Sequence, residues 1–313
     1  MNPQLVFVHG RSQEHRDAVS LKQEWISAFR KGLAKSRRQI PIPEKDIRFP
    51  YYGQTLFDLV SDVPADQVAE VVVRGAVADA QQRAFMQAVL DEVREKAGID
   101  DAKVQHVIGS SVMQRSLQNK KWVLGILRAI DTYVPSASGA AIATATYDVY
   151  QYLRNPGIRD AIDSGVRQVL DSELPKVVVA HSLGTIVAYN LFRRDGEKSG
   201  WNVSLFMTLG SPLGISVIKQ SLAPIQRPQF VGKWVNALDP ADVVALFPLD
   251  KMHFTVRPPI ENLKHVRNRT ENRQASSDIS TTRRSPIGST MRWYVASKHL
   301  VRRSCRVNGA MTR

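Results

Sequence analysis

The run from Pro175 to Leu191, PKVVVAHSLGTIVAYNL, limits what this chain can fold into more than any other stretch. Val177, Val178 and Val179 form a short β-branched run suited to a central strand of a parallel sheet, buried on both faces. Just beyond a sharp turn, Ile186, Val187 and Leu191 recur at helical spacing. Ser182 stands at the corner, with Ala180 two residues before it and Gly184 two residues after it. These residues are small enough to let strand and helix approach closely. The pattern is G-x-S-x-G with alanine at the first glycine, and a serine on such a bend projects its hydroxyl above the sheet edge. Ser182 is therefore the candidate nucleophile; the alternative is a serine in an ordinary strand-to-helix turn.

Similar alternation surrounds this run. Leu5 to Val8 reads as a strand, His9-Gly10-Arg11 as a loop, Glu14 to Ser36 as an amphipathic helix carrying Trp25 and Phe29, and Ile47 to Tyr52 as a second strand. From residue 54 to 171 the pattern becomes long and helical, as in Ala65 to Ala97 and Tyr147 to Leu170, with Val104 to Ile108 expected to supply a sheet strand. Beyond the serine, Ser204 to Leu209 reads as a strand, Gly210 to Gly214 as a turn, the stretch to Leu222 as helical, and Trp234 to Leu238 as another strand. Strands alternating with helices predict an α/β fold with a doubly wound, mainly parallel sheet, whose chemistry belongs at the carboxyl ends of its strands. The expected organisation is a domain over residues 1–273, with residues 54–171 inserted as a largely helical cap over the site, and a basic tail over residues 274–313.

Composition removes several classes. A single cysteine, Cys305, precludes an internal disulfide and a cysteine-built zinc site. Met1-Asn2-Pro3-Gln4 leads directly into a strand, leaving no space for a signal peptide, so a cytoplasmic location is expected. The longest apolar stretches, Trp122 to Ile130 and Ala137 to Ala145, are too short to span a bilayer. The net charge of +14 would ordinarily suggest nucleic acid or an anionic membrane. However, residues 264–313 hold twelve Lys/Arg against two acids, so the basicity belongs mostly to the tail, and no nucleic-acid partner is expected. The Lys35-Ser36-Arg37-Arg38 cluster reads as the solvated end of a helix.

A serine hydroxyl is a weak nucleophile near neutral pH. It needs a base to take its proton, an acid to orient that base, and donors for the oxyanion. The expected donors are the backbone amide of Leu183, which follows the serine, and that of Arg11, in the loop after the first strand. Gly10 is expected to let the backbone turn that second amide inward. Two aspartates follow the Trp234 strand. Asp242 is the candidate acid, whereas Asp239, before Pro240, reads as turn chemistry; Asp239 stays open as the alternative acid.

The segments VFVHG, AHSLG, TLGSPLG and WVNALDPADVVALFPL, in this order, resemble the α/β-hydrolase superfamily, and within it the bacterial lipase and esterase-like serine hydrolases. The resemblance spans Leu5 to Arg273, strongly in the four motifs and hardly at all in the inserted stretch. It implies a small-molecule or lipid acyl ester as substrate, cleaved through an acyl-serine intermediate, with no metal or organic cofactor and with transient contact to a membrane surface.

The histidine is where the pattern breaks. Of those that follow Asp242, His253 comes too soon, His265 falls within Asn262 to Val266, which reads as the last strand, and His299 lies in the basic tail. Related hydrolases place the base in a stretch resembling N-x-T-x-N-R-H-G; here Asn268 to Arg273 fits, and Gln274 stands where the histidine belongs. Deleting one base from a coding of HGIIG yields codons for Gln274-Ala275-Ser276-Ser277. Synonymous codons onward to Tyr294, read in the neighbouring frame, give HGIIGYLDDPEVADWIYDALV. The expectation is that residues from Gln274 onward are an out-of-frame, disordered tail in place of the catalytic terminus. An amide side chain cannot act as a base near neutral pH, and loss of the base in such a triad costs on the order of 10^6 in turnover. The rival expectation is a catalytically inactive relative that serves as a binding or interaction module.

Overall fold

The computed structural model describes residues 3–11, 16–34, 37, 39–60, 80–109, 120–135, 137–240, 242 and 245–264, and the backbone of 268–269 and 290–291. Six strands, β1 (Gln4–Val8), β2 (Ile47–Arg48), β3 (Lys176–His181), β4 (Val203–Leu209), β5 (Val231–Ala237) and β6 (Glu261–Leu263), form one sheet in the order β2-β1-β3-β4-β5-β6. Every pairing in it is parallel, so the chain has the predicted α/β architecture. A separate antiparallel pair joins β7 (Asn268–Arg269) to β8 (Thr290–Met291).

Side-chain alternation explains why the central strands read as unbroken apolar runs. In β1, Leu5 and Phe7 face one layer while Val6 and Val8 face the other; in β3, Val177 and Val179 separate from Val178 and Ala180 in the same way. The first layer is built on α1 (Ala18–Ala34), which buries Leu21, Trp25, Ile26, Phe29 and Leu33. Trp25 and Phe29 both pack on Phe7, with ring centroids 5.5 and 5.7 Å away. The second layer holds most of the remaining helices.

Between β2 and β3 lie α2 (Gly53–Val60), α3 (Ala80–Lys96), α4 (Asp101–Ile108), α5 (Lys120–Tyr133), α6 (Gly139–Arg154) and α7 (Pro156–Leu170). After β3 comes α8 (Leu183–Leu191), all of whose residues are buried, followed by a π-helical turn over Phe192–Gly196. A helix apolar on every side must be covered on every side; α8 lies in the same core cluster as sheet residues Val178 and Ala180 and the inserted helices. The 3₁₀ turn Pro212–Gly214 and α9 (Ser216–Ser221) follow β4. No helix among the described residues is long and apolar enough to cross a membrane.

Three expectations are corrected. Val104–Ile108 lies in α4 and is not a strand. The Asp100 side chain accepts from Lys103 N at 2.9 Å, and Gly109 ends the helix at φ 71°, so capping chemistry overrides the β-branched residues. The long pattern from Tyr147 to Leu170 is two helices, because Asn155-Pro156 interrupts it. Pro156 starts α7, and Asn155 Oδ1 accepts from Gly157 N and Ile158 N. The second strand is also shorter than Ile47 to Tyr52, ending at Arg48.

A buried polar network ties α6, α7 and the end of α8 together. Tyr152 donates to Asp163 Oδ1 at 2.8 Å, Asn190 donates to the Tyr152 hydroxyl at 3.1 Å, and Arg194 donates to Asp163 Oδ2 at 2.9 Å. Burial pushes the Asp163 carboxyl up to about 6, with Tyr152 and Arg194 pulling the other way. The folded chain therefore holds a proton here that the unfolded chain has released between about pH 4 and 6. The group destabilises the fold above that window, and the deficit disappears as pH falls through it. In denaturant melts at pH 7.5, 6 and 4.5, wild type should gain stability relative to Asp163→Asn as pH falls. A difference that does not change with pH would contradict this account.

Candidate active site

The sheet order itself marks a crevice. From β1 the chain steps outward to β2 and later returns to β3 on the other flank of β1, so the connections leaving β1 and β3 diverge and open a gap at their carboxyl ends. His9-Gly10-Arg11 follows β1 and Ser182 follows β3, which brings two of the sequence-predicted elements together there.

Ser182 adopts φ 51° and ψ −125°. An L-residue rarely takes this conformation, which costs on the order of 1–3 kcal/mol and persists only where the surroundings over-determine it. Here Ser182 N donates to Leu209 O at 3.0 Å, and the Ser182 carbonyl accepts from Thr185 N at 2.9 Å and from Thr185 Oγ1 at 2.7 Å. Because the Thr185 hydroxyl proton is used there, Ser211 Oγ, 2.8 Å away, is the donor in the next link. Both faces of the Ser182 peptide are thus held by β4 and the first turn of α8. The Ser182 side chain does not cap that helix.

The close approach is set by glycines. A Cβ on Gly184 would lie 2.4 Å from both the Val8 and His9 carbonyl oxygens, so only glycine lets the start of α8 rest against the loop after β1. A Cβ on Gly10 would sit 3.1 Å from Ser182 Cβ and 3.2 Å from His181 Nδ1. Gly10 does not have positive φ, which corrects the expected reason for it: the position needs space beside Ser182 rather than a special turn. Leu183 begins α8, and an amide in a first helical turn has no carbonyl partner inside the helix and carries the positive end of the dipole.

Arg11, Ser182 and Leu183 line one small, mostly apolar pocket that opens to solvent. Its other walls are Val89 and Val93 of α3, a stripe on α6 made of Ile142, Ala145, Thr146 and Val149, and Pro212, Ile215 and Ile218 after β4. The Thr146 hydroxyl is turned back to the Ile142 carbonyl, leaving the α6 stripe effectively apolar. Arg11 Nε reaches Asp148 Oδ2 of the same helix at 2.5 Å. The site is therefore a serine at the end of an apolar slot.

Asp242 approaches Gly210 at the same edge, and so does His181, the residue that precedes the serine. A Cβ on Gly210 would lie 3.5 Å from His181 Nε2 and 3.6 Å from Asp242 Oδ2. Asp242 Oδ1 accepts from Ala245 N at 3.2 Å, and Asp242 N donates to Asp239 O at 2.9 Å. Asp239 contributes its carbonyl to that turn. His181 packs edge-on to Trp25, and burial pushes its imidazole down to about 4, leaving it neutral and weakly basic.

None of the described histidines hydrogen-bonds Ser182. His9 accepts from Tyr52 N at Nε2, 3.1 Å away, so its Nδ1 carries the proton and donates to Gly10 O at 2.6 Å; burial pushes it down to about 4. This fixes the loop from beneath. His253 precedes β6, bonds Asp250 at 2.9 Å and stacks on Phe247. His265, His299, Gln274 and the rest of the expected out-of-frame tail lie outside the described side chains. Among the described residues no group of three or more His, Cys, Asp or Glu is placed to hold a metal ion.

Sequence reasoning missed Asp148 and His181. Asp148 is 137 residues from Arg11, and its only signal was an acid on the otherwise apolar face of a helix. His181 was visible inside the serine motif, but its approach to Gly210, which Asp242 also nears, depends on the register of the strands.

The strain at Ser182 can be measured. Glycine accepts positive φ without a Cβ penalty, so Ser182→Gly should be more stable than Ser182→Ala by about 1–2 kcal/mol in chemical denaturation. Equal stabilities would mean that the bend is relaxed. Comparison of the chain with protein-family models, with curated proteins and with solved structures finds no match.

Proposed function

We propose that the chain is an α/β-hydrolase-type serine hydrolase site for acyl esters, in which Ser182 is the nucleophile. The observation that carries this reading is the strained bend that holds Ser182 at the end of an apolar slot, between the start of α8 and the loop after β1. The parallel sheet, with the serine strand beside the His9-Gly10 strand, supports the same reading.

Ser182 Oγ attacks the ester carbonyl carbon while its proton passes to a base. The Leu183 and Arg11 amides hold the resulting oxyanion, and collapse expels the alcohol and leaves an acyl-serine. Water then attacks the acyl carbon and releases the acid, regenerating Ser182. The acyl chain lies along the α3 and α6 side chains. Asp242 orients the base. In the chain as it stands the base is the weak element: Gln274 cannot accept a proton, and His181 at about 4 is a poor acceptor near neutral pH. Turnover is accordingly low.

A second reading follows from that weakness. The same slot would bind an acyl chain without cleaving it, making the protein an acyl-binding module. Base supplied from solution distinguishes the two. An alkyl fluorophosphonate should label wild type slowly, and added imidazole or a rise toward pH 9 should accelerate labelling at Ser182 by roughly tenfold or more; Ser182→Ala should abolish it. Absence of Ser182-dependent labelling at any imidazole concentration would retire the hydrolase reading and leave the binding module.

A further inference from the structure

We propose that the Arg11–Asp148 ion pair is the tether through which the inserted helices set the second oxyanion donor, so that Asp148 is a positioning residue for chemistry at Ser182. The inference rests on the acyl-ester reading above and adds a role for a residue 34 positions before the serine that touches none of the reacting atoms.

Three observations combine. First, the loop after β1 is anchored at His9, through the bonds of its ring to Tyr52 N and to the Gly10 carbonyl and through the Tyr52 hydroxyl, which donates to the His9 carbonyl. Arg11, which carries the proposed donor amide, lies beyond that anchor. Second, Arg11 does not reach into solvent. Its Nε is 2.5 Å from Asp148 Oδ2, with the two side chains 20% and 9% exposed, so the pair closes across the gap between sheet edge and insertion. Third, Asp148 belongs to α6, whose Ile142, Ala145, Thr146 and Val149 form a wall of the slot. A helix that contacts the acyl chain on one stripe thus holds the oxyanion loop by the neighbouring residue.

Chemical logic supports this use of a buried pair. Charges taken out of water seldom add stability over apolar residues of similar size, whereas breaking the pair strands a buried charge. An ion pair here is better explained by the geometry it enforces than by stability. The guanidinium fixes where residue 11 sits, and hydrogen-bonded donors act only when aimed at the position the oxyanion will occupy. Displacing such a donor by about 1 Å costs on the order of 100-fold. The pair also keeps the slot without net charge from these two groups, which suits a neutral acyl chain.

The test uses the full chain and imidazole-supported labelling by an alkyl fluorophosphonate, separating KI, which reads occupancy of the slot, from kinact, which reads phosphonylation of Ser182. Asp148→Asn should lower kinact by about 10- to 100-fold and leave KI within about threefold, and Asp148→Glu, which keeps the carboxylate, should recover most of the loss. Since Asp148→Asn also removes the negative member of the pair, the double variant Arg11→Met/Asp148→Leu, which removes both charges, is measured beside it. That variant should stay folded by thermal melt and show the same loss in kinact. An unchanged kinact in either folded variant overturns the tether, as does a loss in kinact that merely parallels a loss in melting temperature. Wild type without Ser182-dependent labelling would instead remove the hydrolase reading on which the tether depends.

Discussion

The rest of the site depends on one constraint: the peptide of Ser182 is forced into a conformation that an L-residue avoids and is clamped there from both sides. Its amide is tied to the last residue of β4, and its carbonyl is tied twice to Thr185, whose hydroxyl is in turn supported by Ser211. These are local hydrogen bonds of ordinary length. Their cumulative effect is to turn a strand into a helix within one residue, which places a hydroxyl above the sheet and the first amides of α8 beside it. Without the clamp the same sequence would relax into a wider turn, and the hydroxyl would leave the start of α8.

That bend requires close neighbours, and the glycines supply them. The start of α8 rests on the Val8 and His9 carbonyls because Gly184 has no side chain, and the loop after β1 passes over Ser182 because Gly10 has none. The crevice is therefore narrow at its base, where polar backbone converges, and apolar at its walls, where α3 and α6 close over it. The inserted helices do more than cover the sheet. Through Asp148 they reach into the loop that shapes the base of the crevice.

Much of this was legible in the sequence, and the reason is physical. Strands buried on both faces must be apolar throughout, so LVFV and VVVA are hard to read as anything else, and a strand-serine-helix run has few alternatives. What failed depended on other forces. Val104 to Ile108 has strand-forming residues but is governed by the Asp100 cap and the Gly109 stop. Tyr147 to Leu170 has one continuous helical pattern but contains Asn155-Pro156. Gly10 was expected to provide backbone freedom and instead provides space. The partnership of Arg11 with Asp148 and the approach of both His181 and Asp242 to Gly210 have no local signature, because each is created only when distant segments pack.

The central claim is that one strained serine, two backbone donors and an apolar slot form a single acyl-transfer site. The most direct measurement is a crystal structure of the chain after reaction with a long-chain alkyl phosphonate in the presence of imidazole. The account predicts phosphorus bonded to Ser182 Oγ, the phosphoryl oxygen about 2.7–3.1 Å from the Leu183 and Arg11 amides, and the alkyl chain between α3 and α6. A phosphonate bonded elsewhere, or one on Ser182 whose oxygen faces away from both amides, would contradict it.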